Sequence, residues 1–231
     1  MPNLYVWDFH GTLEKGNEHA VREICQAVLE QYGYYRKVTL DEVLYLYGNS
    51  WGNYFKALVP SLADETIRQM VESAIQMSQK LTGKYMRPMD HSLDTLLLLK
   101  VKGHTNAIVS NCRQHRITAF CESTGVSPLV AAAIGMSGDA VMLEKDVVKT
   151  KASYIMKLAN GSETSEVSRR GNPKASCGRK FDRVFMIGDK ETDIDAGLLA
   201  GAQTVLFDRR KTGVETKAHH TISDLREVLK F

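Results

Sequence analysis

Short apolar runs alternate with stretches of helical periodicity through most of the sequence, and this alternation constrains the fold more than any other feature. Runs typical of buried strands lie at residues 4–9, 105–110, 131–136, 183–187 and 204–207. Helical patterns separate the later runs at residues 92–100, 116–123, 151–158 and 194–200. Because a helix between two strands carries the chain back over the sheet, this order predicts an α/β fold with a doubly wound parallel sheet.

The alternation is interrupted after the first strand. Residues 16–87 carry helical periodicity alone, over 20–29, 40–47 and 66–81, and residues 48–52 and 60–61 between them are turn-prone. We therefore predict two domains. Residues 1–15 and 88–231 form a discontinuous α/β core, and residues 16–87 form a small all-helical domain.

Composition and charge exclude several classes of protein. The 231 residues are 25% charged and 43% hydrophobic, as in an ordinary globular protein, and 30 Lys and Arg against 27 Asp and Glu leave a net charge of +3. So small an excess, with no basic stripe, predicts no nucleic-acid partner. No apolar run approaches the roughly 20 residues that cross a bilayer, and the N-terminus lacks a signal-peptide pattern. We expect a cytoplasmic protein with a small-molecule partner, and nothing in the sequence indicates an oligomeric state.

The four cysteines predict free thiols and no zinc site. Cys25, Cys112, Cys121 and Cys177 are widely spaced, with no CxxC pair. Cys112 follows one of the predicted strands, but a small buried cysteine is most simply a core residue, so it is not among the predicted site residues.

One segment shows neither the apolar run of a buried strand nor the periodicity of a helix. Residues 160–180 are polar and include five basic residues, Arg169, Arg170, Lys174, Arg179 and Lys180. This composition predicts a mobile surface loop. Its charges could bind an anionic partner, but solvated charges are the simpler interpretation.

Polar residues follow three of the predicted strands at the point where each strand ends. Their sequences are Asp8-Phe9-His10-Gly11-Thr12, Ser110-Asn111 and Gly188-Asp189-Lys190-Glu191-Thr192-Asp193. In an open parallel sheet, ligands bind outside the carboxyl ends of the strands. We therefore predict a functional site at this edge, built from carboxylates, a hydroxyl group and an amide.

These strings resemble the motifs of the haloacid dehalogenase-like hydrolase superfamily. That family begins with DxDGT, continues with a Ser or Thr after the second core strand and a Lys, and ends with GDxxxD. Here the matches are DFHGT at 8–12, AIVSN at 107–111 and IGDKETD at 187–193, with a helical domain where the family inserts its cap and a strand end and helix at 222–229. These motifs in this order, with the helical domain at the expected place, are far more specific than any one of them. The resemblance covers nearly the whole chain and implies a Rossmann-like core with phosphatase-type chemistry, similar to that of phosphoglycolate phosphatases.

The resemblance implies catalytic roles for individual residues. Asp8 would be the nucleophile that forms an aspartyl-phosphate. Ser110, with Thr12 and Asn111, would bind the transferring phosphoryl group. The lysine of the third motif would be Lys151 or Lys149. We favour Lys151 because Ile155 and Leu158 follow it at helical spacing.

A magnesium site is also implied. Asp8, Asp189 and Asp193 would bind Mg²⁺, together with the backbone carbonyl of His10, because a hard cation prefers oxygen ligands. Asp193 could instead be an aspartate that only favours a helix N-terminus. Asp195 falls outside the family spacing and is expected to face elsewhere.

His10 departs from the family pattern. The family's phosphatases carry a second aspartate at this position, which protonates the leaving oxygen and then activates water. An imidazole close to carboxylates can also act as a general acid and then as a base. The predicted function is hydrolysis of a small phosphorylated metabolite. The alternatives are a phosphotransferase or mutase, and a catalytically impaired protein that binds metal or phosphate.

Overall fold

The computed structural model describes residues 1–47, 49–136, 144–161 and 180–231. The chain divides into two compact units, one of Met1–Glu14 with Pro88–Phe231 and one of Lys15–Arg87. The division after Glu14 is one residue earlier than the sequence indicates. The polar segment predicted as a surface loop lies outside the described residues over 162–179.

Strands and helices follow the predicted alternation. The strands are β1 Leu4–Trp7, β2 Glu14–Lys15, β3 Arg87–Pro88, β4 Thr105–Ser110, β5 Ala132–Gly135, β6 Val184–Gly188, β7 Gln203–Phe207 and β8 His220–Ile222. The α-helices are α1 Asn17–Gln31, α2 Leu40–Tyr45, α3 Trp51–Leu58, α4 Asp64–Tyr85, α5 Ser92–Val101, α6 Gln114–Thr124, α7 Glu144–Ala159 and α8 Glu191–Leu199. Two 3₁₀ helices span Ser127–Leu129 and Leu225–Lys230.

Six strands form one sheet in the order β5-β4-β1-β6-β7-β8, and every pair in it is parallel. β2 and β3 pair in a separate two-stranded sheet. The large sheet confirms the predicted α/β, doubly wound fold. From β4 the chain continues to β5 on one side of β1, and from β6 it continues to β7 and β8 on the other side. The direction of winding thus reverses around β1, which is where open α/β sheets bind their ligands.

The central strand β1 is buried on both faces. Leu4 and Val6 lie in one apolar cluster with Val109 and with Ile155 of α7. On the opposite face, the Tyr5 ring stacks on Phe185 with 4.9 Å between ring centroids. Side chains alternate between the faces of a strand, so a strand covered on both sides must be apolar throughout. This requirement explains the unbroken apolar run at the start of the sequence.

The helical unit has its own apolar core, which includes Ile24, Val28, Phe55 and Met70. Helix α3 was not predicted, because Ser50 and Gly52 indicated a turn. Ser50 instead caps the helix, with its hydroxyl oxygen accepting a hydrogen bond from the Asn53 amide at 3.3 Å. Serine is favoured both in turns and at helix N-termini, so the residue type alone does not distinguish them.

Helix α7 also differs from its prediction. It begins at Glu144 and not at Lys151, which lies in its interior. The stretch before Lys151 is rich in charged residues and has a weak apolar period, so the periodicity became visible only from residue 151 onward. Within the described part of the chain, none of the helices is both long enough and apolar enough to cross a membrane.

Candidate active site

A tight turn follows β1 and carries the first group of site residues. The Asp8 amide donates a hydrogen bond to the carbonyl oxygen of Ile187 at 2.8 Å, and the Phe9 carbonyl accepts from the amides of Leu13 and Glu14. Gly11 has a φ of +83°, and a β-carbon on it would lie 2.3 Å from Asp189 Oδ2. Both the positive φ and the close approach require glycine here. The turn therefore brings Asp189 directly against the backbone of the first motif.

Three carboxylates converge at the carboxyl ends of β1 and β6. Asp8, Asp189 and Asp193 each offer an oxygen, and these atoms lie within 4.8 Å of one another. Asp8 and Asp193 are buried. Gly188 permits this packing, because a β-carbon there would be 2.3 Å from Asp193 Oδ2. Asp193 lies in the first turn of α8. The structure thus brings Asp8 together with two carboxylates from a distant part of the sequence.

Lys151 supplies a positive charge to this cluster. Its Nζ donates hydrogen bonds to Asp8 Oδ1 at 2.8 Å and to Asp193 Oδ1 at 2.5 Å, and the side chain is buried. Burial disfavours the ammonium ion, but the charges of Asp193 and Asp8 outweigh it and hold the pKa of Lys151 above its usual value. Lys149, the other candidate, is exposed. Of the two lysines, the structure brings Lys151 to the carboxylates.

Asp189 shows how the cluster could hold a cation. Its Oδ1 is buried and has no hydrogen-bond partner among the described residues. Burial and the neighbouring charges of Asp8 and Asp193 raise its pKa to about 7. Burial and the Asp8 charge also raise the pKa of Asp193, although Lys151 opposes them. Crowded carboxylate oxygens, one of them with an unpartnered lone pair, are the ligands that hard divalent cations prefer, so these residues fit a divalent metal ion.

The remaining predicted residues lie around the same edge in different environments. Ser110 ends β4, is buried, and accepts a hydrogen bond from the Cys112 amide at 3.4 Å. Thr12 is fully buried, and its hydroxyl has no hydrogen-bond partner within the described ranges. Asn111 is exposed. Asp195 pairs with the exposed Lys217 at 3.0 Å.

His10 lies in a more polar environment than the sequence indicated. Its Nδ1 is 2.6 Å from Oε2 of Glu14, whose side chain is fully buried. The Cys112 thiol hydrogen-bonds the same histidine. Burial lowers the pKa of His10, but Cys112 and Glu14 outweigh burial and raise the pKa to about 10. The imidazolium form is therefore favoured at neutral pH.

Sequence reasoning missed Glu14 and assigned Cys112 to the core. Cys112 is indeed nearly buried, at 8% exposure, but it also contacts His10. A signal for Glu14 was present, because a carboxylate directly after the apolar Leu13 interrupts a buried segment. Its pairing with His10 depends on the turn at Gly11, which the sequence pattern did not specify.

Comparisons with known proteins agree with this geometry. The family model described as haloacid dehalogenase-like hydrolase matches residues 5–151, and a HAD-hydrolase-like model matches residues 165–228. The curated relative Pyrophosphatase PpaX of Bacillus pumilus (strain SAFR-032) is 26% identical over 202 residues, which cover 87% of this chain and 81% of the relative.

Solved structures share the whole fold at low sequence identity. A predicted phosphoglycolate phosphatase from Haemophilus somnus 129PT has a TM-score of 0.72 at 16% identity and covers 98% of this chain and 96% of its own. A predicted phosphatase from Clostridium acetobutylicum has the same TM-score at 15% identity, with full coverage of both chains. Such identities establish the fold alone. The family model, which spans more than half of the residues, confirms the predicted resemblance and the predicted enzyme class. The chain belongs to the haloacid dehalogenase-like hydrolase family.

Proposed function

We propose that this protein hydrolyses small phosphate monoesters through a covalent aspartyl-phosphate on Asp8. The observation that carries the proposal is the buried Lys151 bridge, in which one ammonium group holds both Asp8 and Asp193. A buried charge is costly unless it is paired. Lys151 offsets the charge of the Asp8 carboxylate through Oδ1 and leaves its second oxygen able to attack phosphorus. The names of the similar proteins, a pyrophosphatase and a predicted phosphoglycolate phosphatase, support a phosphorylated substrate.

The first half of the reaction would transfer the phosphoryl group to the protein. An Asp8 carboxylate oxygen attacks phosphorus, and the bond from phosphorus to the leaving oxygen breaks. His10 gives its proton to that oxygen, so the alcohol leaves neutral. Lys151 offsets part of the negative charge that gathers between nucleophile and phosphate. The Ser110 hydroxyl donates to a phosphoryl oxygen, a role consistent with its position at the end of β4.

The second half would regenerate the free carboxylate. Neutral His10 takes a proton from a water molecule, the water oxygen attacks phosphorus, and the bond from phosphorus to Asp8 breaks to release inorganic phosphate. The protein then has its original proton count, because the proton that His10 gave in the first half is recovered in the second. One histidine at position 10 can therefore carry out the acid and base steps that an aspartate performs elsewhere in the family.

Magnesium is part of the proposal. Asp8, Asp189 and Asp193, with the backbone carbonyl of His10, would hold the ion. When bound, Mg²⁺ neutralises phosphoryl oxygens and reduces their repulsion of the attacking carboxylate. The unpartnered Asp189 Oδ1 supports this assignment.

The proposal is tested with p-nitrophenyl phosphate and Mg²⁺. We expect steady phosphate release by the wild type and a loss of about 10³-fold or more in kcat for Asp8→Asn, as for other enzymes that lose their nucleophile. The matched control is Asp195→Asn, which removes a carboxylate from the same region but lies at the surface with Lys217. It should retain the wild-type rate.

Three outcomes would contradict the proposal. If the wild type releases no phosphate from this ester or from a panel of phosphorylated metabolites, hydrolysis is wrong. A stoichiometric burst of labelled protein without turnover would indicate a phosphotransferase or mutase. Retention of activity by Asp8→Asn would exclude Asp8 as the nucleophile.

A further inference from the structure

The side chains of His10 and Glu14 form a pair that is fixed by the local backbone. The Phe9 carbonyl accepts the Glu14 amide at 2.9 Å, and the Gly11 amide donates to the Glu14 carbonyl at 2.9 Å. The two residues also form an isolated β-bridge. This closed turn places Glu14 Oε2 2.6 Å from His10 Nδ1. The turn therefore brings the two side chains within reach of each other.

The hydrogen bond determines which ring nitrogen keeps its proton. An ionised carboxylate can only accept, so the hydrogen between Glu14 and His10 belongs to Nδ1. Glu14 does not hold Nε2, so Nε2 is the ring nitrogen that can exchange a proton during a reaction, and the Cys112 thiol also hydrogen-bonds this ring. Catalytic histidines depend on such a carboxylate to hold the ring and its tautomer while the other nitrogen transfers the proton.

Packing alone is a weak explanation for Glu14. Its side chain is fully buried, whereas that of His10 is 19% exposed. A buried ion pair is often no more stabilising than apolar side chains of similar volume. Leu13, which precedes Glu14, and Phe9, whose carbonyl accepts its amide, are both buried apolar residues. A carboxylate at this place is therefore costly for the fold, yet it is well placed to serve His10.

We propose that Glu14 is a positioning residue for His10, whose carboxylate accepts the Nδ1 proton and thereby makes Nε2 the nitrogen that gives and takes the reaction's proton. The inference deepens the proposed function and rests on it. It also predicts that positions 10 and 14 are coupled. An aspartate at position 10 carries its proton on oxygen and has no ring tautomer to fix. Beside Glu14, it would also face a second carboxylate, which repels it.

A double-mutant cycle on kcat tests the coupling. With wild-type His10, Glu14→Gln should lower kcat by about 10 to 10³-fold and change KM little, since the loss falls on proton transfer. In the His10→Asp background, the same Glu14→Gln change should leave kcat unchanged or raise it. If Glu14 were only structural, Glu14→Gln would lower kcat by the same factor with His or Asp at position 10. That result would overturn the inference.

Glu18→Gln is the matched control. Glu18 is another buried carboxylate close in sequence, and it accepts a hydrogen bond from the Gly16 amide at 2.9 Å. The fold-change in kcat caused by Glu18→Gln should be the same with His or Asp at position 10. Thermal unfolding of every variant, measured in parallel, separates lost folding from lost turnover.

Nuclear magnetic resonance separates failure of this inference from failure of the proposed function. In protein labelled with ¹⁵N-histidine, His10 is assigned by the signal missing from His10→Asp. We expect a protonated Nδ1 with a strongly hydrogen-bonded proton, and loss of that signature in Glu14→Gln. An unchanged spectrum overturns the positioning role even if the enzyme is active. If the spectrum responds but the wild type releases no phosphate, the hydrolase assignment fails and the His10–Glu14 contact stands.

Discussion

The two compact units of this protein bury different kinds of side chain. The α/β unit places Asp8, Asp193 and Lys151 in its interior at the end of the central strands. The core of the helical unit is an apolar cluster, with Ile24 and Met70 among its fully buried members. Apolar burial is favourable by itself, whereas each buried charge must be offset by a partner. The stability of the α/β unit should therefore depend on protonation and on cations bound at this buried cluster. The apolar cluster of the helical unit carries no charge, so its contribution to stability should not change with either.

The contrast separates two kinds of information in the sequence. Apolar periodicity predicts helices and cores but says little about chemistry. Charged residues at the end of buried strands are poor choices for stability, and their presence there points to function.

The largest effect on stability is expected for Lys151→Met. This change keeps the length of the side chain but leaves Asp8 and Asp193 without their shared ammonium group. At pH 8 it should lower the free energy of unfolding by about 3–5 kcal/mol, as when one partner of a buried ion pair is removed. Urea denaturation measures the loss. Lys217→Met is the control, because its exposed pair with Asp195 should contribute no measurable shift in the urea midpoint.

If Lys217→Met lowered the free energy of unfolding as much as Lys151→Met, burial of the ion pair would not determine how much stability its removal costs. Saturating Mg²⁺ should recover part of the stability lost in Lys151→Met, because a second cation can then offset the carboxylates.

A smaller effect is expected from pH in metal-free protein. The pKa of Asp189 is raised from 3.8 to about 7 in the fold, so between these pH values the folded state holds a proton that the unfolded state has lost. Stability contributed by this carboxyl group therefore falls as pH rises from about 4 to about 7. The decrease should be on the order of 3 kcal/mol, from the free energy of one pKa unit.

Urea denaturation in EDTA across this pH range measures the slope. Asp189→Asn should remove most of it, since an amide does not titrate. Added Mg²⁺ should also flatten the slope in the wild type by binding the ionised form. A wild-type slope that Asp189→Asn leaves unchanged would assign the titration to another group.

The smallest effect is expected in the apolar core. Ile24→Val removes one methylene group from the helical unit and should cost about 0.5–1.5 kcal/mol. The loss should be the same at pH 5 and pH 8, and the same with and without Mg²⁺, because no charge is involved. Urea midpoints under these four conditions measure it. A dependence on pH or magnesium would remove the distinction between the two units.

Most of the fold could be predicted because apolar runs and helical periodicity alternate repeatedly along the chain. Strands β1, β4, β6 and β7 each contain a short apolar run, and helices lie between the later strands. The exceptions have local causes. Helix α3 was missed because Ser50 serves as a helix cap, and residues of this type also favour turns. The start of α7 was missed because its first residues carry few apolar side chains.

The candidate site was predictable only as far as strand ends define it. Asp8 and Asp189 follow two adjacent parallel strands, so their approach could be inferred from topology. To choose between Lys149 and Lys151, one must know how α7 is rotated about its axis. The apolar periodicity of this segment indicated that rotation only weakly. The contact between His10 and Glu14 depends on a turn with a positive φ at Gly11, and turns of this kind are set by backbone geometry.

The position of β1 also affects how a growing chain can mature. β1 precedes both of its neighbours, β4 and β6, and Asp8 meets a lysine 143 residues later in the chain. Until β6 is synthesised, one edge of β1 lacks its strand and is open to pairing with other molecules. Contacts between residues so distant in sequence form slowly. Chains released before Val184 are therefore expected to need chaperones or to aggregate, because β1 then lacks its β6 partner and the carboxylate cluster lacks Asp189 and Asp193.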